Sequence, residues 1–192
     1  MGGRRIMEQL IMTNGLCGID EAGRGPFAGP MVVAGVKLHK QIDELNDSKK
    51  LTEKKREKLF DIIINNSDYH IVFSSAQEID EFGISACIKK SIIEIMSNID
   101  TDNYLMDGNT VYGLDNISWK IKADASVSEV AAASILAKVS RDRFMVNIAS
   151  KYPEYHFEKH KGYGTKAHTE SIREYGLCEI HRKSFRIKAL EL

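Results

Sequence analysis

The sequence predicts an α/β protein in which helices flank a mixed β-sheet and a helical part follows the sheet. Short apolar runs of strand length alternate with longer segments whose apolar residues recur every three to four positions. The chain has 192 residues, three prolines and neither repeats nor a low-complexity linker, which favours one compact unit. We therefore expect a core over residues 1–150 and a helical part over residues 151–192 that packs on it.

The first half of the chain begins with two predicted strands around a glycine-rich turn. Leu16–Asp20 is a short buried run that ends at adjacent carboxylates, and Pro30–Leu38 is rich in valine. Leu51–Asn65 places leucines and isoleucines at helical spacing, with Thr52 as the predicted N-cap. Tyr69–Ser74 alternates apolar and polar residues as a third strand does.

The second half predicts a helix, two strands and two further helices. Ile84–Ile99 has the spacing of an amphipathic helix. Asn103–Met106 and Ile117–Ile121 are short strands, and an aspartate follows each of them. A long helix is expected over about Val127–Ala149, where the nearby Ser-Val-Ser-Glu sequence has the spacing of a capping box. Thr165–Tyr175 precedes a glycine that ends the last helix.

Composition and charge exclude several classes of protein. No apolar run approaches the roughly 20 residues of a membrane span, and residues 1–14 lack the features of a secretory signal, so we expect a cytoplasmic protein. Cys17, Cys87 and Cys178 form no C-x-x-C pair and are expected to be free thiols. The net charge is zero, but residues 138–192 carry 12 Lys or Arg against 7 Asp or Glu, which favours contact with a nucleic-acid backbone.

Four acidic residues stand at the ends of predicted strands. Neighbouring residues of a strand point to opposite faces, so Asp20 and Glu21 converge on one ion only if the strand ends there. Asp107 follows the fourth strand, and Asp124 lies between the fifth strand and the long helix. Oxygen ligands favour Mg²⁺ or Mn²⁺, and four carboxylates can hold two ions about 4 Å apart for phosphoryl displacement. Taken alone, the Asp-Glu pair at a strand end is more often a solvated turn, Asp107 before a glycine is an ordinary turn signal, and Asp124 fits a helix-capping acid. Only their joint occurrence favours a metal site.

Six blocks of the sequence stand in an order that is typical of one enzyme family. They are Gly18–Pro26, Asp47–Leu51, Asp107–Asn109, Lys122–Asp142, His160–Thr165 and His181–Phe185. Together they resemble ribonuclease HII, the type 2 ribonuclease H of bacteria, over about Leu16–Phe185. The related type 3 enzymes generally have Gly-Lys-Gly where this chain has Gly-Arg-Gly, and they carry an additional N-terminal domain, so type 2 is the better assignment.

The resemblance implies a ribonuclease H-like fold, with a five-stranded mixed sheet flanked by helices and a helical C-terminal extension. It also implies hydrolysis of the RNA strand in RNA–DNA hybrids and nicking 5′ to single ribonucleotides embedded in duplex DNA, leaving 5′-phosphomonoesters. Such an enzyme removes misincorporated ribonucleotides and RNA primers. The implied cofactors are two Mn²⁺ or Mg²⁺ ions. We expect a monomer without an evident clamp partner, because Ile187–Leu192 contains no aromatic clamp-binding motif.

The resemblance also implies roles for individual residues. The catalytic metal ligands are Asp20, Glu21, Asp107 and Asp124. The substrate-binding residues are Gly23, Arg24, Gly25, Lys49 and Tyr163. A ribose 2′-OH both donates and accepts, so backbone groups brought close by the two glycines can recognise it. Tyr163 is expected to stack on the sugar at the DNA side of an RNA–DNA junction, and Lys49 to contact phosphate.

Two residues depart from the family pattern, and two other functions stay open. The family usually has glycine at the position of Ala123, beside a proposed ligand, and lysine at the position of Ser126. A DNA-directed nuclease of the same fold, such as a resolvase, would be indifferent to the 2′-OH. A non-catalytic module would bind hybrids through the basic C-terminal third without cleaving them.

Several other residues allow more than one interpretation. His156 and His160 have the i, i+4 spacing of zinc ligands, although no third ligand stands at a recognisable spacing. His160 or His181 can alternatively contact phosphate or orient a carboxylate. Trp119 is expected in the core, and Arg182 with its neighbouring lysine is equally typical of a solvated charge pair.

Overall fold

A five-stranded sheet with strand order β3-β2-β1-β4-β5 forms the centre of the protein. The computed structural model describes residues 15–45 and 51–187. The strands are β1 (Cys17–Ala22), β2 (Met31–Leu38), β3 (Ser67–Ser74), β4 (Tyr104–Asp107) and β5 (Ile117–Lys120). The helices are α1 (Glu53–Ile64), α2 (Ala76–Phe82), α3 (Ile84–Asn98), α4 (Ser128–Ala149), α5 (Phe157–His160) and α6 (Lys166–Tyr175). The predicted mixed sheet with flanking helices is confirmed.

The strand pairing brings the carboxyl ends of three strands to one edge. β1 pairs antiparallel with β2 and parallel with β4, and β4 pairs parallel with β5. β1, β4 and β5 therefore run in the same direction. In open α/β sheets this edge is the usual place for a functional site.

The sheet is covered on both faces. On one face, valines of β2 pack with α1 and with the alanines at positions 131–133 of α4. On the other face, Ile19, Met31 and Val33 pack with the isoleucines of α3. Gly18 permits the closest approach, because a Cβ at this position would lie 2.2 Å from the backbone nitrogen of Val130 in α4.

The helix ends confirm some of the predicted caps and contradict one. Thr52 accepts a hydrogen bond from the first turn of α1, as predicted. Thr165 caps α6 in the same way, which was not predicted. The capping box expected at the start of α4 is wrong: Val127 is the N-cap and makes no side-chain cap. Ser126 instead accepts a hydrogen bond from Lys120 Nζ at 2.9 Å. The capping box at Ser75, which begins α2, was not predicted.

The segment after α4 packs against the end of that helix and against the turn that follows β1. Met145, Tyr155, Phe157 and Ile172 form a buried cluster there. An isolated bridge between Ala28 and His181 joins the loop after α6 to the loop between β1 and β2. No helix in the described ranges is long and apolar enough to cross a membrane.

Candidate active site

Three aspartates converge at the sheet edge. Asp20 lies in β1, Asp107 ends β4, and Asp124 lies in a short 3₁₀ turn before α4. One carboxylate oxygen from each residue lies within 4.8 Å of the others. This convergence follows from the topology, because β1 and β4 are parallel neighbours and α4 packs on β1.

The turn before α4 holds two of these acids together. The backbone N–H of Ala123 donates to Asp107 Oδ1 at 2.7 Å, and Asp124 is the next residue. The left-handed conformation in this turn falls on Lys122, with φ of 56°. Ala123 has no positive φ and is fully buried, so alanine fits where the family usually has glycine.

Glu21 stands beside the aspartates and outside their group. The strand expected to end at Asp20 continues to Ala22, so Asp20 and Glu21 are consecutive strand residues. Asp20 Oδ1 accepts the backbone N–H of Glu21 at 2.7 Å, and Glu21 Oε1 accepts Arg24 Nη1 at 3.1 Å. Glu21 Oε2 is buried and has no hydrogen-bond partner among the described residues. The structure thus places three of the four predicted ligands in one group. The fourth, Glu21, lies next to this group and has one carboxylate oxygen without a hydrogen-bond partner among the described residues.

Burial and like charge oppose ionisation of these carboxyl groups. Burial, reinforced by the charge of Glu21, raises the pKa of Asp20 to about 8. Burial also raises the pKa of Glu21, against the opposing effect of Arg24. A nearby cation would remove this cost, because an opposite charge favours the ionised form.

The donor set fits a divalent cation that prefers oxygen. Asp20, Asp107 and Asp124 offer carboxylate oxygens within 4.8 Å of one another, and Glu21 adds a buried oxygen without a partner in the described ranges. Mg²⁺ and Mn²⁺ prefer such hard ligands, whereas structural zinc sites use cysteine and histidine. His156 and His160 belong to no group of three potential metal ligands among the described residues.

A turn with two exposed residues follows β1 beside the acids. Arg24 and Gly25 are exposed, and Gly23 is buried with φ of 90°. A Cβ at Gly23 would lie 2.2 Å from Nε of Arg141, so this position requires glycine.

Two buried arginines hold this turn and the residues that follow it. Arg182 is 1 % exposed and donates to the carbonyls of Gly23, Arg24 and Gly29. Of the alternatives that the sequence leaves open, a solvated charge therefore does not apply to Arg182. Arg141 is fully buried and donates to the carbonyls of Ala28 and Pro30. No local pattern distinguishes these arginines from surface ones, because their acceptors are more than 100 positions away.

Tyr163 is half exposed beside the same turn. Its ring lies 5.3 Å from the Arg141 guanidinium carbon and 5.8 Å from Lys138 Nζ. Arg141 therefore contacts both Tyr163 and the turn at Gly23. The structure brings the turn and Tyr163 together, while Lys49 lies outside the described residues, as does most of Ile187–Leu192.

Two buried histidines and one partly buried histidine form a network behind Tyr163. His168 Nδ1 lies 2.9 Å from the Tyr163 carbonyl oxygen, and His168 Nε2 lies 3.1 Å from His181 Nε2. His181 Nδ1 accepts the backbone N–H of Cys178 at 2.9 Å, and the ring of His160 stacks on that of His168. His160 and His181 therefore support the backbone around Tyr163, and the proposed carboxylate contact is absent from the described residues.

Trp119 is 49 % exposed, so its predicted place in the core is wrong. It lies on β5, which is an edge strand with a neighbour on one side only.

The three cysteines are free thiols, as expected: Cys17 and Cys87 are buried and Cys178 is partly buried.

Comparison with known proteins assigns the chain to one family. A model of the family described as Ribonuclease HII matches residues 17–188. A Ribonuclease HII of Sulfurovum sp. is 60 % identical over 93 % of this chain and 95 % of its own length. A Ribonuclease HII of Aliarcobacter butzleri is 63 % identical over 91 % and 92 % of the two chains.

A solved structure has the same fold. The ribonuclease HII in the complex with PCNA from Archaeoglobus fulgidus superposes with a TM-score of 0.79 at 27 % identity. The match covers 91 % of this chain and 96 % of that chain. The ribonuclease H-like fold expected from the sequence is thereby confirmed.

Proposed function

Because the chain belongs to the ribonuclease HII family, we propose that it is a metal-dependent endonuclease that hydrolyses the RNA strand of RNA–DNA hybrids and nicks duplex DNA 5′ to a single ribonucleotide. Membership in this family supports the hybrid-directed ribonuclease activity. The observation that carries the finer proposal is the convergence of three carboxylates within 4.8 Å beside a turn with exposed backbone. The proposed role is the removal of misincorporated ribonucleotides and RNA primers.

Asp20, Asp107 and Asp124 would hold two divalent ions, Mg²⁺ or Mn²⁺, and Glu21 would contribute its buried oxygen. Bound there, such ions supply Lewis-acid stabilisation of the charge that develops at the phosphodiester. The raised pKa of Asp20 supports this assignment, because its buried carboxylate is poorly compensated by the protein alone.

The substrate contacts in this proposal come from two neighbouring segments. The Gly23–Gly25 turn would contact the ribose 2′-OH, since its exposed backbone lies beside Glu21. Tyr163 would stack on the sugar of the adjoining deoxynucleotide, because its half-exposed ring is held beside the turn by Arg141. Together these contacts would set the nick at the junction.

The test is cleavage of a DNA duplex that contains one ribonucleotide, compared with an all-DNA duplex and an RNA–DNA hybrid, each with Mg²⁺, Mn²⁺ or EDTA. We expect metal-dependent nicks 5′ to the ribonucleotide, cleavage of the hybrid and none of the all-DNA control. Asp107→Asn should abolish these products, whereas Asp102→Asn, which changes an exposed acid before β4, should not.

Each other result contradicts the proposal in a different way. Cleavage of the all-DNA duplex would identify a DNA-directed nuclease of the same fold. Binding of the hybrid without turnover in either metal would identify a non-catalytic module.

A further inference from the structure

We propose that Arg182 is a positioning residue for ribose recognition: its guanidinium holds the carbonyl groups of Gly23 and Arg24 inward and thereby directs the backbone N–H groups of Arg24 and Gly25 toward the substrate. This inference rests on the proposed function, because it concerns how the same turn distinguishes a ribonucleotide from a deoxynucleotide. Arg182 itself would not touch the substrate.

The contacts of Arg182 converge on one loop. Nη2 donates to the Gly23 carbonyl at 2.6 Å and Nη1 donates to the Arg24 carbonyl at 2.9 Å. Nε donates to the Gly29 carbonyl at 3.1 Å. The planar guanidinium presents its donors in a fixed fork, so it sets the orientation of two consecutive peptide groups at once.

Because peptide groups are planar, the hydrogen bonds from Arg182 to these carbonyls also fix the direction of the N–H groups of Arg24 and Gly25. In a planar trans peptide the C=O of one residue and the N–H of the next point in opposite directions. Carbonyls that point toward Arg182 therefore require the N–H groups of Arg24 and Gly25 to point away from it. Neither N–H has an acceptor within the described part of the chain, and both residues are exposed.

The space beside Gly25 is open on the side where a Cβ would lie. A Cβ built on Gly25 meets no atom within 4 Å, so a sugar or phosphate oxygen can approach the backbone directly. Two successive outward N–H groups form the kind of concavity that binds electron-rich oxygens.

The cost of burying Arg182 argues for a role beyond packing. The side chain is 1 % exposed and forms no ion pair with any described residue. Burial lowers its pKa to about 10, reinforced by the charge of Arg141 and partly opposed by that of Asp80. A buried charge is expensive compared with apolar residues of similar volume, whereas three fixed donors on three carbonyls define a loop conformation that apolar packing does not specify.

The experiment compares binding of two duplexes in EDTA, so that no cleavage occurs. One duplex contains a single ribonucleotide and the other is all DNA; the ratio of their Kd values measures recognition of the 2′-OH. In Arg182→Lys we expect this ratio to fall about tenfold, equivalent to about 1.4 kcal/mol, while the Kd for the all-DNA duplex changes less than about twofold. Arg182→Gln keeps two donors and loses the charge. Its Kd ratio should lie between that of Arg182→Lys and that of the wild type.

Ile92→Val is the matched control for lost stability. Ile92 is fully buried against the opposite face of the sheet, so its truncation should lower the melting temperature and leave the ratio unchanged. An unchanged ratio in Arg182→Lys, with discrimination intact in the wild type, would overturn the inference. Absence of discrimination in the wild type would instead contradict the proposed function.

A measurement on the unsubstituted protein keeps the test independent of folding defects. The amide resonances of Arg24 and Gly25 should shift when the ribonucleotide duplex is added in EDTA and shift much less with the all-DNA duplex. If both resonances respond equally to the two duplexes, these N–H groups do not read the ribose, and the inference fails.

Discussion

The backbone N–H of Ala123 donates a 2.7 Å hydrogen bond to Oδ1 of Asp107 and so fixes one carboxylate of the cluster against the segment that carries another. Any residue except proline supplies this donor. The position that requires an unusual backbone angle is the preceding residue, Lys122, and not Ala123. The departure from the family glycine therefore leaves the geometry of the acids intact.

Ala123→Gly is expected to preserve cleavage within about twofold, because the N–H to Asp107 remains. The substitution removes a fully buried methyl group and adds freedom to the unfolded backbone, so the free energy of unfolding should fall by about 1 kcal/mol. Steady-state cleavage and urea unfolding check the two effects separately. A large gain in rate would mean that alanine distorts the site.

Gly25→Ala should fold normally and bind the ribonucleotide duplex poorly. A Cβ at this position meets nothing within 4 Å in the protein and φ is not positive, but it would project into the space proposed for the substrate. We expect an unchanged melting temperature and a roughly tenfold higher KM. Gly23→Ala is the contrasting variant, because its Cβ would clash with Arg141 at 2.2 Å and should lower the melting temperature.

Tyr163→Ala should impair nicking at a single embedded ribonucleotide more than cleavage of a long hybrid. Loss of a stacking contact costs roughly 1–3 kcal/mol. The substrate with one embedded ribonucleotide presents a deoxynucleotide to the Tyr163 ring in every productive complex, whereas the long hybrid does not, so the first substrate should lose more activity. The ratio of kcat/KM values for the two substrates is the measurement. Tyr175→Ala removes a similarly exposed tyrosine from α6 and serves as the control. Equal losses on both substrates would remove the junction role.

Asp20→Asn should stabilise the metal-free protein increasingly as the pH rises. Burial raises the pKa of Asp20 from 3.8 to about 8, so the native state binds a proton more tightly than the unfolded chain. Stability from this group is present below about pH 4 and is lost as the pH rises toward 8. Unfolding in EDTA should show a difference between variant and wild type that grows from pH 5 to 8. A difference that is constant with pH would contradict this assignment.

The buried pair His168 and His181 should make stability fall under mildly acidic conditions. Burial lowers the pKa of each from 6.5 to about 4, so the native state favours the neutral rings. Stability from these groups is complete above about pH 6.5 and is lost as the pH falls toward 4, on the order of 3 kcal/mol for each ring. Urea unfolding between pH 7 and 4 measures the slope, which His168→Asn should reduce. Stability that does not change with pH over this range would show that the pKa values of these rings are the same in the native and unfolded states.

The parts of the fold that depend on local patterns could be predicted from the sequence. Apolar spacing located the five strands and the helices α1, α3, α4 and α6, and the carboxylates at the strand ends indicated the group that the three aspartates form. The end of β1 was misplaced because strand pairing with β2 continues through Ala22, and tertiary pairing leaves no local signal. The capping box at the start of α4 was wrong: Ser126 accepts a hydrogen bond from Lys120, which belongs to β5, and the N-cap is Val127.

The supporting residues of the site could not be predicted from local patterns. Arg141 and Arg182 have the sequence context of surface arginines, and their burial depends on carbonyl acceptors on a distant turn. The hydrogen bond between His168 and His181 likewise forms only when the loop after α6 folds back. Trp119 was assigned to the core by its apolar ring, but β5 is an edge strand that leaves the ring half exposed.

The contact between Arg182 and the Gly23 carbonyl, 159 positions apart, has a consequence for how the protein is made. The ribosome completes β1 and its turn early, and domains begin to organise from the N-terminus during synthesis. The turn nevertheless lacks the side chain that orients it until almost all of the chain described here has emerged. A nascent chain can therefore contain all three aspartates of the acidic cluster before it contains Arg182, so the positioning contact that we propose for this turn forms only after the acids are present.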